Sequence, residues 1–222
     1  MSFGYKLAIF DLDGTVLDTL DDLADSVNAV LSENGYPIHS REAICSFVGN
    51  GMKNLIDRAL PKGTATEEAA RILTEFKAYY ALHCADKTAP YAGICAMLAA
   101  LRAAGVKTAV LSNKADYATQ ALCKRYFDGL FDVVAGEREN EGIPKKPAPD
   151  AVFAIMQQCG VTHAQAVYIG DSDVDVKTAA NAGVDAILVS WGFRTAAFLC
   201  ESGARVIVDT PEELQAKILN LK

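Results

Sequence analysis

Residues 7–19 read LAIFDLDGTVLDT, and the candidate chemistry of the chain starts there. An apolar run leads into Asp11 and Asp13, one leucine apart, followed by Gly14 and Thr15. A carboxylate at the end of a buried strand is costly unless it is paired, protonated or bound to a metal. Asp171, Asp173 and Asp175 follow a second apolar run, AVYIG. Gathered in one place, these charges repel strongly unless a cation sits among them. Hard carboxylate oxygens suit Mg2+, which is held by one or two carboxylates, waters and a phosphate. Ser112, the backbone of Asn113 and a lysine offer phosphate-binding groups of the opposite character. Such a set is equipped for phosphoryl transfer, which depends on positioning and charge neutralisation. A spare carboxylate could attack phosphorus in line.

The elements that must position these residues are legible from periodicity. Residues 5–10 read as a short buried strand. Leu20, Leu23, Ala24, Val27, Val30 and Leu31 then fall at helical spacing over 20–34, and Asn34-Gly35 stops that helix, with Gly35 in the left-handed position. Helices follow near 40–47 and 51–60. Thr64 and Glu67 are placed to form a capping box for a long helix carrying Ile72, Leu73, Phe76, Tyr79 and Tyr80. No further strand is expected between 11 and about 88. After residue 90, helices alternate with the runs VKTAVLS, FDVVAG, AVYIGD, AILVS and ARVIVD, ending in a C-terminal helix. That rhythm implies an α/β, doubly wound parallel sheet. The first strand belongs to it, so residues 1–16 and 89–222 are expected to form the core and 17–88 an inserted helical cap. Ligands bind outside the carboxyl ends of such strands, where Asp11, Ser112-Asn113-Lys114 and Asp171 fall, with Lys145 and Lys146 in a nearby loop.

Composition narrows the field. A net charge of −7 argues against non-specific nucleic-acid binding. No uninterrupted apolar stretch is long enough to span a bilayer, and the N-terminus does not read as a signal peptide. The 6 cysteines fall at irregular intervals without metal-ligand or redox spacing. A reducing compartment, the cytoplasm, is the expectation, with no membrane partner.

Four segments together resemble the motifs of the haloacid dehalogenase superfamily: DLDGT at 11–15, SNK at 112–114, KPAPD at 146–150 and GDSDVD at 170–175, in order and on strand ends. The cap segments, including FVGNGMKNLIDRAL, look most like the phosphoglycolate phosphatase branch. The resemblance implies a Rossmann-like core with a helical cap, a Mg2+ cofactor and hydrolysis of a small phosphorylated metabolite, with 2-phosphoglycolate the leading guess. It makes Asp11 the nucleophile and a metal ligand. Asp13 becomes the general acid/base, lending its backbone carbonyl to the metal. Thr15, Ser112, Asn113 and Lys146 hold the phosphoryl group, Asp171 is the acidic metal ligand, and Asp175 orients a metal-bound water or Lys146. The loop Gly49, Asn50 and Gly51 enters the crevice and helps select substrate; without the resemblance it reads as an ordinary turn.

Other readings stay open. Dehalogenases and phosphonate hydrolases lack the second aspartate of the first motif, which is present here as Asp13. Mutase relatives usually carry a histidine in the first cap helix, and 20–34 has no Lys, Arg or His. A sugar phosphomutase and a non-catalytic binder of Mg2+ and phosphate remain alternatives. Asp18 and Thr19 read as helix caps and Asp173 reads equally as a solvent-facing helix N-terminus. Lys145 is a weaker candidate than Lys146. Trp191 and Phe193 read as packing, and His39, His83 and His163 match no motif.

Overall fold

The computed structural model describes residues 4–49 and 51–220. The chain divides into two compact units, Met1–Leu17 with Pro90–Lys222, and Asp18–Ala89. The first unit is built on a six-stranded sheet of order β5-β4-β1-β6-β7-β8. Its strands are β1 (Leu7–Phe10), β4 (Lys107–Ala115), β5 (Val133–Glu137), β6 (Ala166–Gly170), β7 (Asp185–Val189) and β8 (Ile207–Val208). All five pairings are parallel. With β1 at the centre, successive strands add first on one side and then on the other, so the strand order reverses beside β1. That reversal is where a doubly wound sheet opens a crevice at its carboxyl edge.

Register decides which residues meet there. Phe10 pairs with Val110 on one side and Ile169 on the other. The next residue, Asp11, therefore leaves the sheet level with the end of β6, its amide donating to the Ile169 carbonyl at 2.8 Å. Every residue of β1 is fully buried, as a central parallel strand covered on both faces must be. Leu7, Ile9, Ala109, Leu111 and Tyr168 from the sheet form one cluster with Val152, Ile155 and Met156 of α7 (Asp150–Cys159). Each such large apolar side chain contributes about 1.5–3 kcal/mol through burial.

The second unit holds α1 (Leu20–Glu33), α2 (Arg41–Phe47), α3 (Gly51–Ala59) and α4 (Thr66–His83). Leu23, Val27, Val30 and Leu31 of α1 share a core with Ile44, Leu55, Ile56, Ile72, Phe76 and Tyr80, the stripe that helical spacing predicts. Gly35 has φ +71°, as expected at the end of α1. Asp22, buried in α1, accepts from the amides of Lys87 at 2.9 Å and Thr88 at 2.8 Å.

Local expectations need correction at three places. The residue preceding α4 is Ala65, with no side-chain cap, and the Thr64 hydroxyl donates instead to the Pro61 carbonyl at 2.8 Å, so the expected capping box does not form. Asp18 does cap α1, accepting from Leu20 N at 3.3 Å, whereas the Thr19 side chain makes no cap bond. A two-residue strand, β2 (Leu17–Asp18), pairs with β3 (Ala89–Pro90) where no strand was expected; two residues are too few to show alternation. Among the described residues no helix is long and apolar enough to cross a membrane.

Candidate active site

The segment after β1 is a tight turn wound around one acceptor. The amides of Thr15, Val16 and Leu17 all point to the Leu12 carbonyl, and Gly14 donates to Leu17 O at 2.8 Å. Gly14 has φ +82°, and a Cβ there would collide with the Asp171 carboxylate. Glycine is thus required twice over, by the backbone conformation and by the close approach. Asp11 is held on this turn, its Oδ1 accepting from Leu12 N at 2.7 Å and facing Lys146 Nζ at 2.9 Å.

Asp171 follows the last residue of β6, and its carboxylate accepts from the Thr15 hydroxyl at 3.3 Å and from the Phe193 amide at 2.7 Å. Ser172 and Asp175 form a capping box at the start of α8 (Asp173–Ala182), the S-x-x-D pattern stabilised by reciprocal side-chain to backbone bonds. Asp175 Oδ2 accepts from Asp171 N, Ser172 N and, at 2.6 Å, Ser172 Oγ, while Oδ1 faces Lys146 at 2.9 Å. One carboxylate therefore caps a helix and clamps the buried lysine.

Burial dominates the electrostatics. It pushes the Asp11 pKa from 3.8 up to about 7, with Lys146 opposing the rise and Asp175 and Asp13 adding to it. Burial also raises the Asp171 pKa well above the usual carboxylate range, reinforced by Asp175 and Asp11. For Lys146, burial works against the charge, but Asp11 and Asp175 more than offset it and hold its pKa well above the ordinary lysine value.

Oxygens of Asp11, Asp171 and Asp175 lie within 4.8 Å of one another. Asp175 is committed to its amides, hydroxyl and lysine, which leaves Asp11 and Asp171 as the pair that fits a cation. An all-oxygen donor set whose charged form burial disfavours is one that a bound Mg2+ would offset.

The structure brings Asp11, Thr15, Lys146, Asp171 and Asp175 together through these bonds. Ser112 Oγ accepts from Lys114 N at 3.2 Å at the end of β4. The Asn113 side chain donates to Lys146 O at 3.1 Å, tying the two loops. Lys145 instead pairs with Glu139 at 3.0 Å, and Asp173 pairs with Lys177 at 2.7 Å on the first turn of α8. Gly49 and Gly51 belong to the helical unit with φ of +119° and +82°; Asn50 lies outside the described residues. His39, His83 and His163 contact Ala59 O, Asp86 and Phe153.

Two groups escaped the sequence reading. Lys114 Nζ pairs with Asp13 Oδ1 at 2.8 Å, although SNK places a lysine at that strand end. Trp191 and Phe193 do more than pack: the indole Nε1 donates to Thr15 O at 3.0 Å, and the Phe193 amide reaches Asp171. The only signal was their place after β7, at the same edge of the sheet. Trp191→Phe keeps the ring and deletes the donor. It should cost about 1–2 kcal/mol, lowering the thermal midpoint by roughly 2–8 °C in a domain of this size. An unshifted melt would show that this N–H does not support the turn.

The haloacid dehalogenase-like hydrolase family profile matches residues 8–189. A phosphoglycolate phosphatase of Pseudomonas savastanoi pv. phaseolicola is 34% identical over 217 residues, covering 94% of this chain and 78% of that protein. Among solved structures, a candidate phosphoglycolate phosphatase from Lactobacillus delbrueckii subsp. bulgaricus superposes with a TM-score of 0.92 at 40% identity, covering 97% of this chain and 99% of that one. CbbY from Rhodobacter sphaeroides, solved in complex with phosphate, gives 0.79 at 25% identity, with 98% and 100% covered. A doubly wound sheet with acidic groups and a buried lysine at its carboxyl edge defines the class, and the match of most of the chain makes it specific. The chain belongs to the haloacid dehalogenase-like hydrolase family.

Proposed function

We propose that this chain, a phosphatase of that family, hydrolyses a small phosphate monoester through an aspartyl-phosphate on Asp11, with Mg2+ as cofactor and 2-phosphoglycolate as the leading substrate. The observation that carries the reading is the buried Asp11 carboxylate with Lys146 2.9 Å away, itself clamped by Asp175. A nucleophile that must approach a phosphoryl dianion needs nearby positive charge. Held by Asp11, Asp171 and the Asp13 carbonyl, Mg2+ would supply further neutralisation of the phosphoryl charge.

In the first half of the reaction an Asp11 oxygen attacks phosphorus. The bond to the ester oxygen breaks, its electron pair stays on that oxygen, and Asp13 gives it a proton. In the second half water attacks the phosphorus and gives a proton to Asp13, the bond from phosphorus to the Asp11 oxygen breaks with its electron pair restoring the Asp11 carboxylate, and inorganic phosphate leaves. Ser112, the Asn113 backbone and Lys146 hold the phosphoryl oxygens, while Thr15 acts through its hydroxyl on Asp171. The 49–51 loop is assigned to substrate selection by family resemblance. The substrate name rests on the relatives named for phosphoglycolate phosphatase. Free cysteines throughout the described residues fit a cytoplasmic setting.

Phosphate release from 2-phosphoglycolate, sugar phosphates, nucleoside monophosphates and pyrophosphate, with and without Mg2+, tests this directly. A metal-dependent preference for 2-phosphoglycolate is the expected result. Broad, weak turnover would withdraw the substrate, and no turnover of any ester would overturn the phosphatase mechanism.

A further inference from the structure

Lys114 is a buried cation in the site that the steps above leave without a task. It lies at the end of β4, its side chain only 3% exposed, and its ammonium contacts Asp13 Oδ1 at 2.8 Å across 101 residues of chain. Asp13 Oδ2 makes no hydrogen bond or ion pair with any described residue. The two oxygens of this carboxylate are therefore unlike: one is anchored and the other open. A buried ion pair is often no better for stability than apolar residues of similar volume, so stability alone is a weak reason for the arrangement.

We infer that Lys114 is a positioning residue for Asp13, fixing Oδ1 so that Oδ2 is the oxygen that passes the proton to the leaving alcohol and later receives one from water. This rests on the proposed role of Asp13. A carboxylate on a short turn can rotate about its side-chain bonds, and misplacing a proton donor by about 1 Å can cost roughly 10²-fold. The anchor removes that freedom without drawing on the lysine of the nucleophile, since Asp11 and Asp13 have separate lysines, Lys146 and Lys114. In the step concerned, the phosphorus–oxygen bond to the alcohol breaks, the electron pair stays on the alcohol oxygen, and the proton leaves Oδ2 for that oxygen. Atoms and charge balance without a further reactant.

The test uses leaving groups. A departing alkoxide needs the proton, whereas 4-nitrophenolate leaves readily without it. The value of kcat/KM reports transfer to Asp11 and is blind to later hydrolysis of the aspartyl-phosphate. Wild type, Lys114→Met, Lys114→Gln and Asp13→Asn are compared on 2-phosphoglycolate, ethyl phosphate and 4-nitrophenyl phosphate, with thermal melts to confirm folding. Both lysine variants should lose about 10²-fold or more on the two alkyl esters and less than about 5-fold on the aryl ester, within the range general acid catalysis supplies. Combining Lys114→Met with Asp13→Asn should add almost nothing to the loss from Asp13→Asn alone, the non-additivity of groups acting as one unit. Equal losses on all three esters would overturn the inference in favour of a structural lysine. A loss confined to 2-phosphoglycolate would overturn it in favour of direct contact with the substrate carboxylate. If Asp13→Asn itself shows no dependence on leaving group, the proposed role of Asp13 fails, and the inference with it.

Discussion

Asp11→Asn should release phosphate from no ester tested, at least about 10⁴-fold below wild type, because an amide oxygen cannot take the place of the carboxylate proposed to attack phosphorus. The same substitution should stabilise the metal-free protein at alkaline pH. The Asp11 pKa is raised by burial from 3.8 to about 7. Between those values the unfolded chain gives up the proton while the folded chain keeps it, so stability falls as pH rises through that window. Above about pH 7 the folded protein carries a buried charge that the variant lacks. Metal-free Asp11→Asn at pH 8 should therefore melt higher than metal-free wild type, by roughly 2–8 °C for a gain of about 1–2 kcal/mol. Below about pH 4 the difference should vanish, since Asp11 is then protonated in both states. Saturating Mg2+ should reverse the order, adding to wild type about 2.7 kcal/mol at one hundred times the dissociation constant. Thermal melts at pH 4, 6 and 8 with and without Mg2+ measure all of this. A metal-free variant that melts below wild type at pH 8 would show that Asp11 is not a buried charge awaiting a cation.

Lys146→Met should be the most damaging single change in the sheet unit. It removes the ammonium that lies 2.9 Å from both Asp11 and Asp175 and leaves two buried carboxylates facing each other. Breaking one side of a buried ion pair typically costs about 3–5 kcal/mol, a drop of roughly 6–20 °C in the melt at this size. Activity should fall by about 10³-fold or more, since the charge proposed to match the phosphoryl group goes as well. Lys146→Arg restores a charge but not its shape, because a planar guanidinium cannot replace a compact ammonium between two carboxylates. It should recover part of the stability and little of the rate. A Lys146→Met protein with wild-type melting and turnover would remove this lysine from the site.

The parts of the site that could be read in the sequence are those whose signal is local. Asp11 and Asp171 each follow a short apolar run, so the strand itself announces that a carboxylate sits at its end. Asp175 was given its role through the resemblance at GDSDVD, and the Ser172 capping box that holds it is visible only in the structure. Lys114 could be placed at its strand end, but its pairing with Asp13 could not, because a lysine after a strand looks the same whether it meets solvent or Asp13, and its partner is 101 residues away. Trp191 is harder still: its bond to Thr15 O spans 176 residues and ends on a backbone atom, which no residue type reveals. The sheet was legible because helical and strand periods alternate over long windows. The six-residue helix Ala196–Glu201 and the two-residue strands β2 and β3 lie below the length at which a period shows. The start of α4 was missed by one residue: Thr64 is the better cap by residue type, but its hydroxyl is spent on the Pro61 carbonyl and Ala65 takes the position without a side-chain cap.

The Asp22 carboxylate, bonded to the amides of Lys87 and Thr88, has an evolutionary corollary. It stitches the first turn of the inserted helices to the residues by which the chain returns, and β2 and β3 pair at the same two crossings. The insert thus begins and ends at neighbouring points, like a bead threaded on a closed loop of string. A segment closed in this way is a cassette: it can lengthen, shorten or be exchanged for another without pulling apart the strands that flank it. The carboxylates proposed to be catalytic and their lysines can then be inherited intact while the part proposed to choose the substrate diverges.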